Sequence, residues 1–114
     1  LLRGHDVTID IIEPEDASDP VPASSMDHRA YLTAGDTARK LFPDCIVAPF
    51  LTVGATDSRW YADICDMIVR FVPLVMSTGD LTRIHGTDER VATDGYLKMI
   101  DFYEQFLIKE CTGE

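Results

Sequence analysis

Cys45-Ile46-Val47-Ala48-Pro49-Phe50-Leu51-Thr52-Val53, running directly into Gly54-Ala55-Thr56-Asp57-Ser58-Arg59, is the stretch on which the reading of this chain turns. Its first part is mostly apolar, short, and punctuated by Pro43 and Gly54, so 45–53 reads as a buried strand rather than a helix. A strand delivering Gly-x-Thr-Asp-x-Arg brings hydroxyls, a carboxylate and a guanidinium to its carboxyl end, the edge at which open α/β sheets hold ligands. Gly54 either lets the backbone approach a ligand closely or simply turns the chain. Further on, Arg83-Ile84-His85-Gly86 sets a histidine beside a glycine with few regular-structure signals around it. A histidine so placed is positioned for chemistry more often than one inside an apolar stripe. The expected fold class is α/β.

Around this stretch the rest of the chain reads as scaffold. With 114 residues there is room for one domain with a core, burying roughly two thirds of its unfolded surface. A hydrophobic share of 46% excludes wholesale disorder. The net charge of −10 would be repelled by a phosphate backbone, so no nucleic-acid partner is expected, and anionic membrane surfaces are disfavoured for the same reason. No apolar run approaches the ~20 residues that cross a bilayer. Cys45, Cys65 and Cys111 lack metal-ligand spacing and read as thiols of a reducing compartment, which points to the cytoplasm. A first residue of Leu rather than Met points to a processed or truncated chain, so the lack of a leader is uninformative.

Residues 5–13 alternate through Val7, Ile9 and Ile11 as a half-buried strand with no partner near in sequence. Pro14, Pro20 and Pro22 make 14–25 an extended connector and a domain boundary. Helical spacing runs from Asp27, a plausible N-cap, to Phe42 before Pro43, and Gly35 inside it costs about 1 kcal/mol of propensity. Asp57 suits the N-cap of a short helix through Ile64, and Met67 to Val72 is a second strand-like run closed by Pro73. Residues 73–92 read as a long irregular loop, and loops of that length usually carry function or are disordered. The final helix, Asp94 to Cys111, is capped by Thr93. Its apolar face is expected from Leu97, Ile100, Tyr103, Phe106 or Leu107 and Cys111, with Asp101, Glu104, Gln105 and Lys109 toward solvent.

Val47-Ala48-Pro49-Phe50, Gly54-Ala55-Thr56-Asp57-Ser58-Arg59, Arg70-Phe71-Val72-Pro73 and Arg83-Ile84-His85-Gly86-Thr87-Asp88-Glu89 occur in that order over about 44–108. Together they resemble the carboxyl-terminal part of a zinc metallopeptidase family that contains aminoacylase, acetylornithine deacetylase, succinyl-diaminopimelate desuccinylase and carboxypeptidase S, the last branch most of all. The resemblance implies a catalytic domain with a mostly parallel sheet flanked by helices, interrupted by a lid. Residues 1–13 would be the tail of that lid or dimerisation domain, 14–25 the connector, and 26–114 the carboxyl-terminal portion of the catalytic domain.

It also implies roles. His85 would be the last metal ligand, and imidazole is a preferred ligand of zinc. Arg59 would hold the substrate's free carboxylate, for which a planar guanidinium is suited; an arginine paired with Asp57 or Asp63 is the plainer alternative. Gly54 and Thr56 would line the substrate site. Thr56 and Asp57 shape the loop and cap the helix more readily than they take part in proton transfer; Asp57 and Glu89 would support the site from behind, Glu89 by orienting His85 unless it is a solvated charge. The complete enzyme would carry two zinc ions, with cobalt as a substitute, and cleave a peptide or N-acyl amide beside a free carboxylate. A homodimer through the lid is implied as well.

The family's remaining ligands and its general-base glutamate lie upstream of the lid, and none of those motifs occurs here. The missing amino-terminal part of the catalytic domain is thus an implied partner, and the chain alone is expected to be inactive. The alternatives are a non-catalytic anion-binding module using Arg59, Thr56 and Ser58, or a pseudoenzyme on the same fold. A Cys65–His85 thiol hydrolase is disfavoured, because Asp57, Asp63 and Asp66 near Cys65 would raise the thiol pKa.

Overall fold

The computed structural model describes residues 4, 6, 8, 10, 12–13, 19–52, 54 and 56–113. The expected strand over 5–13 and the start of the connector lie largely outside the described residues. Three α-helices follow in chain order: α1 (Arg29–Leu41), α2 (Thr78–Leu81) and α3 (Thr93–Thr112), with a 3-10 turn at Asp57–Tyr61.

α1 begins one residue later than Asp27 suggested, because the cap is His28. Its Nδ1 accepts from the Ala30 amide at 3.1 Å, while Asp27 lies in the preceding turn. The helix ends as expected before Pro43, with the Phe42 amide closing on the Ala38 carbonyl at 2.8 Å. α3 starts at Thr93, so Ala92 holds the cap position and no side chain bonds there; the expected Thr93 cap is not formed. Its far end is a left-handed Gly113 whose amide bonds the Lys109 carbonyl at 3.1 Å.

α1 and α3 pack against each other and run antiparallel. Arg29, at the start of α1, donates to the Lys109 carbonyl and approaches Glu110 at 3.6 Å near the end of α3. At the opposite end, the Lys98 ammonium sits 5.2 Å from the Phe42 ring centre. Between these clamps Ala34 and Ala38 present small side chains to Phe102, which is 2% exposed. Leu41, Cys45, Val47 and Phe106 close the cluster. Burying one phenylalanine in this way stabilises by about 2–3 kcal/mol.

The buried face of α3 differs from the one expected. Phe102 and Phe106 point at α1, whereas Leu97, Ile100 and Leu107 remain about half exposed. Lys109, expected in solvent, is half-buried and donates to the hydroxyl of fully buried Thr37 at 3.2 Å. α3 carries apolar residues on more than one side, so periodicity alone could not choose between them.

Segment 67–74 lies across α3. Phe71 meets Phe102 at 5.3 Å between ring centres, the Tyr103 hydroxyl donates to the Phe71 carbonyl at 3.2 Å, and Pro73 is buried. Leu74 reaches the first turn of α3 at Gly95, where a Cβ would stand 2.7 Å from Leu74 Cδ1. Ser24 ties the connector to this segment by donating to the Ile68 carbonyl at 3.0 Å. Both 45–52 and 67–72 carry no β-ladder among the described residues. The expected irregular loop 73–92 contains α2, held by Ser77 and Asp80.

The accessible surface is 9834 Å², against about 6,200 Å² for a compact domain of this mass. Much of the excess is apolar: Ile46, Phe50, Leu51, Trp60, Ile64 and Val75 are each at least 70% exposed. No helix of the described residues is long and apolar enough to cross a membrane.

Candidate functional site

The loop carrying Gly54, Thr56, Asp57 and Arg59 is shaped by hydroxyl groups and a distant arginine. Thr56, not Asp57, occupies the N-cap position of the 3-10 turn, and Asp57 supplies the negative charge of its first turn. The Thr56 and Ser58 hydroxyls are hydrogen-bonded to each other. Both also accept from Arg70 Nε, at 3.2 Å and 2.7 Å. Arg70 therefore gathers the turn from the neighbouring segment. Sequence reasoning placed Arg70 in a motif but gave it no role, because a contact across twelve to fourteen residues leaves no local signature.

Arg59 follows directly. It is exposed and its guanidinium carbon lies 4.5 Å from the centre of the Trp60 ring. No salt bridge joins Arg59 to Asp57 or Asp63 among the described residues, so the charge faces solvent over an aromatic plate. Gly54 is exposed, and a Cβ there would meet nothing within 4 Å, so its backbone stands open.

His85 sits in a second, separately braced loop. The Ser77 hydroxyl and amide both donate to Asp80, at 2.6 Å and 2.8 Å, and the Asp80 amide returns a bond to Ser77, forming a capping box. Those Ser77 bonds, helped by Arg83 and Arg90, hold the Asp80 carboxyl below its ordinary value of 3.8. Arg83 pairs with Asp80 at 3.0 Å and approaches Asp88 at 3.9 Å, and Arg90 reaches Asp88 at 2.7 Å. Across this ladder the Gly86 amide closes a turn on the Arg83 carbonyl at 2.8 Å. His85 and Asp88 adopt left-handed backbone, with φ of 59° and 65°. A histidine there is held at a conformational cost of about 1–2 kcal/mol.

His85 is exposed at the tip, and Glu89 is exposed without a hydrogen bond to it. No hydrogen bond or ion pair joins this loop to the Arg59 loop among the described residues. Nor do three His, Cys, Asp or Glu side chains group as a ligand set among them, so these residues alone do not fit a metal centre. His85 offers one imidazole.

No family model matches the chain, and no solved structure matches it. Curated proteins do. The chain is 34% identical over 99 residues to probable carboxypeptidase S-like 2 of Dictyostelium discoideum, covering 87% of this chain and 19% of that protein. It is 35% identical over 102 residues to the N-fatty-acyl-amino acid synthase/hydrolase of Bos taurus, covering 87% of this chain and 20% of the relative. Probable carboxypeptidase S-like 1 of Dictyostelium discoideum is 35% identical over 110 residues, or 95% of this chain and 22% of that one. The chain spans about a fifth of the length of the curated relatives it matches. Over that span it belongs to the family of the carboxypeptidase S-like proteins and the N-fatty-acyl-amino acid synthase/hydrolases.

Proposed function

We propose that this chain is the carboxyl-terminal part of a zinc-dependent amidohydrolase that cleaves a peptide or N-acyl amide beside a free carboxylate. One observation carries the reading: nearly the whole chain aligns with one fifth of relatives named as carboxypeptidase-like or as N-fatty-acyl-amino acid hydrolases. The geometry supports it. Arg59 offers a guanidinium above Trp60 with no salt bridge among the described residues, suited to a carboxylate, and it follows the braced Thr56 turn and the exposed Gly54 in sequence.

His85 contributes one ligand to a centre whose other ligands and general base lie on the amino-terminal part of the catalytic domain. Glu89 orients the imidazole once that centre is assembled, and Asp57 adds its negative charge to the first turn of the segment that presents Arg59. Two zinc ions, replaceable by cobalt, occupy the assembled site. The 1–13 stretch is the tail of a lid through which the enzyme dimerises, 14–25 is its connector, and 26–114 completes a mostly parallel sheet flanked by helices. The exposed apolar residues on 46–64 support this, since they are the surface that such a sheet would cover.

The test uses the full open reading frame. Asparagine tolerates the left-handed conformation of His85, so His85→Asn removes the imidazole while keeping the turn. Wild type should hold about two zinc ions per chain and hydrolyse N-acyl amino acids or dipeptides. His85→Asn should lose metal by elemental analysis and lose activity at least a hundredfold. Full metal content and turnover in the variant would remove His85 from the site. A wild type that binds N-acyl amino acids but never cleaves them would make the protein a binding module or pseudoenzyme.

A further inference from the structure

The contact between Arg70 and the Thr56–Ser58 turn reaches beyond the roles above. Its single Nε–H is shared by the Thr56 and Ser58 hydroxyls, at 3.2 Å and 2.7 Å, and those hydroxyls also bond each other. A charged donor on two neutral acceptors is the strong kind of hydrogen bond, and Arg70 makes no salt bridge among the described residues that would draw it elsewhere. The residue next after Ser58 is Arg59. Whatever fixes Ser58 also fixes where Arg59 leaves the turn.

Arg70 is itself anchored. It precedes Phe71, whose ring packs on buried Phe102 and whose carbonyl receives the Tyr103 hydroxyl at 3.2 Å. Pro73, buried two residues further on, holds the same segment. The guanidinium, itself exposed, thus extends from a segment tied to α3 through Phe102, Tyr103 and buried Pro73, and reaches a turn with no buried residue of its own.

Resting on the proposed hydrolase reading, we infer that Arg70 is a positioning residue for substrate binding: it clamps the Thr56–Ser58 turn to the α3 core and thereby sets Arg59 for the substrate's carboxylate. Arg70 acts through Thr56 and Ser58 and carries no step of the reaction. Its loss moves KM before kcat, because it weakens carboxylate recognition while leaving the metal centre intact.

The test compares wild type, Arg70→Ala, Arg70→Lys and the double variant Thr56→Val/Ser58→Ala in the full-length enzyme. Three readouts apply: hydrogen exchange of the peptide spanning 54–62, zinc content, and KM and kcat for an N-acetyl amino acid. Arg70→Ala should speed exchange across 54–62, raise KM about tenfold or more, and leave zinc content and kcat within about twofold. Lysine, able to donate to the same hydroxyls, should recover part of the KM. Adding Arg70→Ala to the hydroxyl double variant should cost little more than either change alone, the non-additivity of one shared contact.

Unchanged exchange in Arg70→Ala overturns the clamp whether or not the enzyme turns over. Faster exchange with unchanged KM overturns its link to substrate. Loss of zinc or of kcat alone also overturns it, since the effect would then be structural or at the metal. If wild type cleaves no N-acyl amino acid, the hydrolase reading and with it the substrate role fall, while the exchange result still decides the clamp.

Discussion

At His85 and Asp88 the backbone is left-handed, at φ of 59° and 65°, and only ties from other residues keep it so. A β-branched side chain is least tolerant of that region. His85→Val should therefore loosen the 83–90 loop by roughly 1 kcal/mol more than His85→Asn, seen as faster amide exchange there. Any functional difference between those variants beyond the shared loss of imidazole is then backbone, not chemistry. Gly35 gives the opposite lesson. Read from the sequence, it only weakens α1, yet a Cβ there would lie 3.2 Å from Val47 Cγ1 and press on a stiff β-branched neighbour. Gly35→Ala should bring no gain in wild type but recover about 1 kcal/mol of helix propensity in a Val47→Ala background, by urea denaturation of both pairs. His85 and Arg59 were legible as site candidates because their motifs are contiguous. Arg70 and Gly35 were not, because their reasons lie on other segments.

Each element holds for a reason that can be removed singly. Phe102 is packed between Ala34, Ala38, Phe71 and Phe106, so Phe102→Ala should cost about 3–5 kcal/mol of the α1–α3 packing. Leu97→Ala, at a position 57% exposed, should cost under about 1 kcal/mol, seen as little change in amide exchange along α3. For α2 the tie is electrostatic. Because the folded Asp80 carboxyl lies below its ordinary value of 3.8, its contribution is full above that value. It fades only as pH falls through the lower, folded value. Exchange protection of 77–83 should thus persist at pH 5 and drop in stronger acid, and Asp80→Asn should abolish that dependence. The existence of α1 and α3 was readable from period and from Pro43, but their caps were not. His28 Nδ1 takes the place expected for Asp27, and the Ser77-x-x-Asp80 box starts a helix inside the segment expected to be irregular.

Over the whole molecule, exposed surface and shape agree. The radius of gyration is 18.0 Å, against about 13 Å for a compact chain of this length. Among the described residues the buried cluster centres on three side chains, a small core for the apolar surface they carry. Expressed alone, the chain should bind a hydrophobic dye strongly and unfold without a sharp transition. Within the longer enzyme proposed above it should do neither, as fluorescence and calorimetry can check. The apolar run at 45–53 reads from sequence as a buried strand, yet among the described residues 45–52 carries no β-ladder and Ile46, Phe50 and Leu51 are exposed. The run at 5–13 lies largely outside the described residues.

The partnership of α1 with α3 also sets a timetable for synthesis. α1 is complete at Leu41, but the Phe102 that fills its apolar groove emerges only after the whole intervening stretch has been translated. At ribosomal speeds that is a wait of roughly 3–12 s. For that interval the nascent helix offers Ala34, Ala38 and Leu41 with no mate, a natural stopping place for a chaperone. Slowing translation between the two helices should lengthen that exposure and lower the yield of soluble protein.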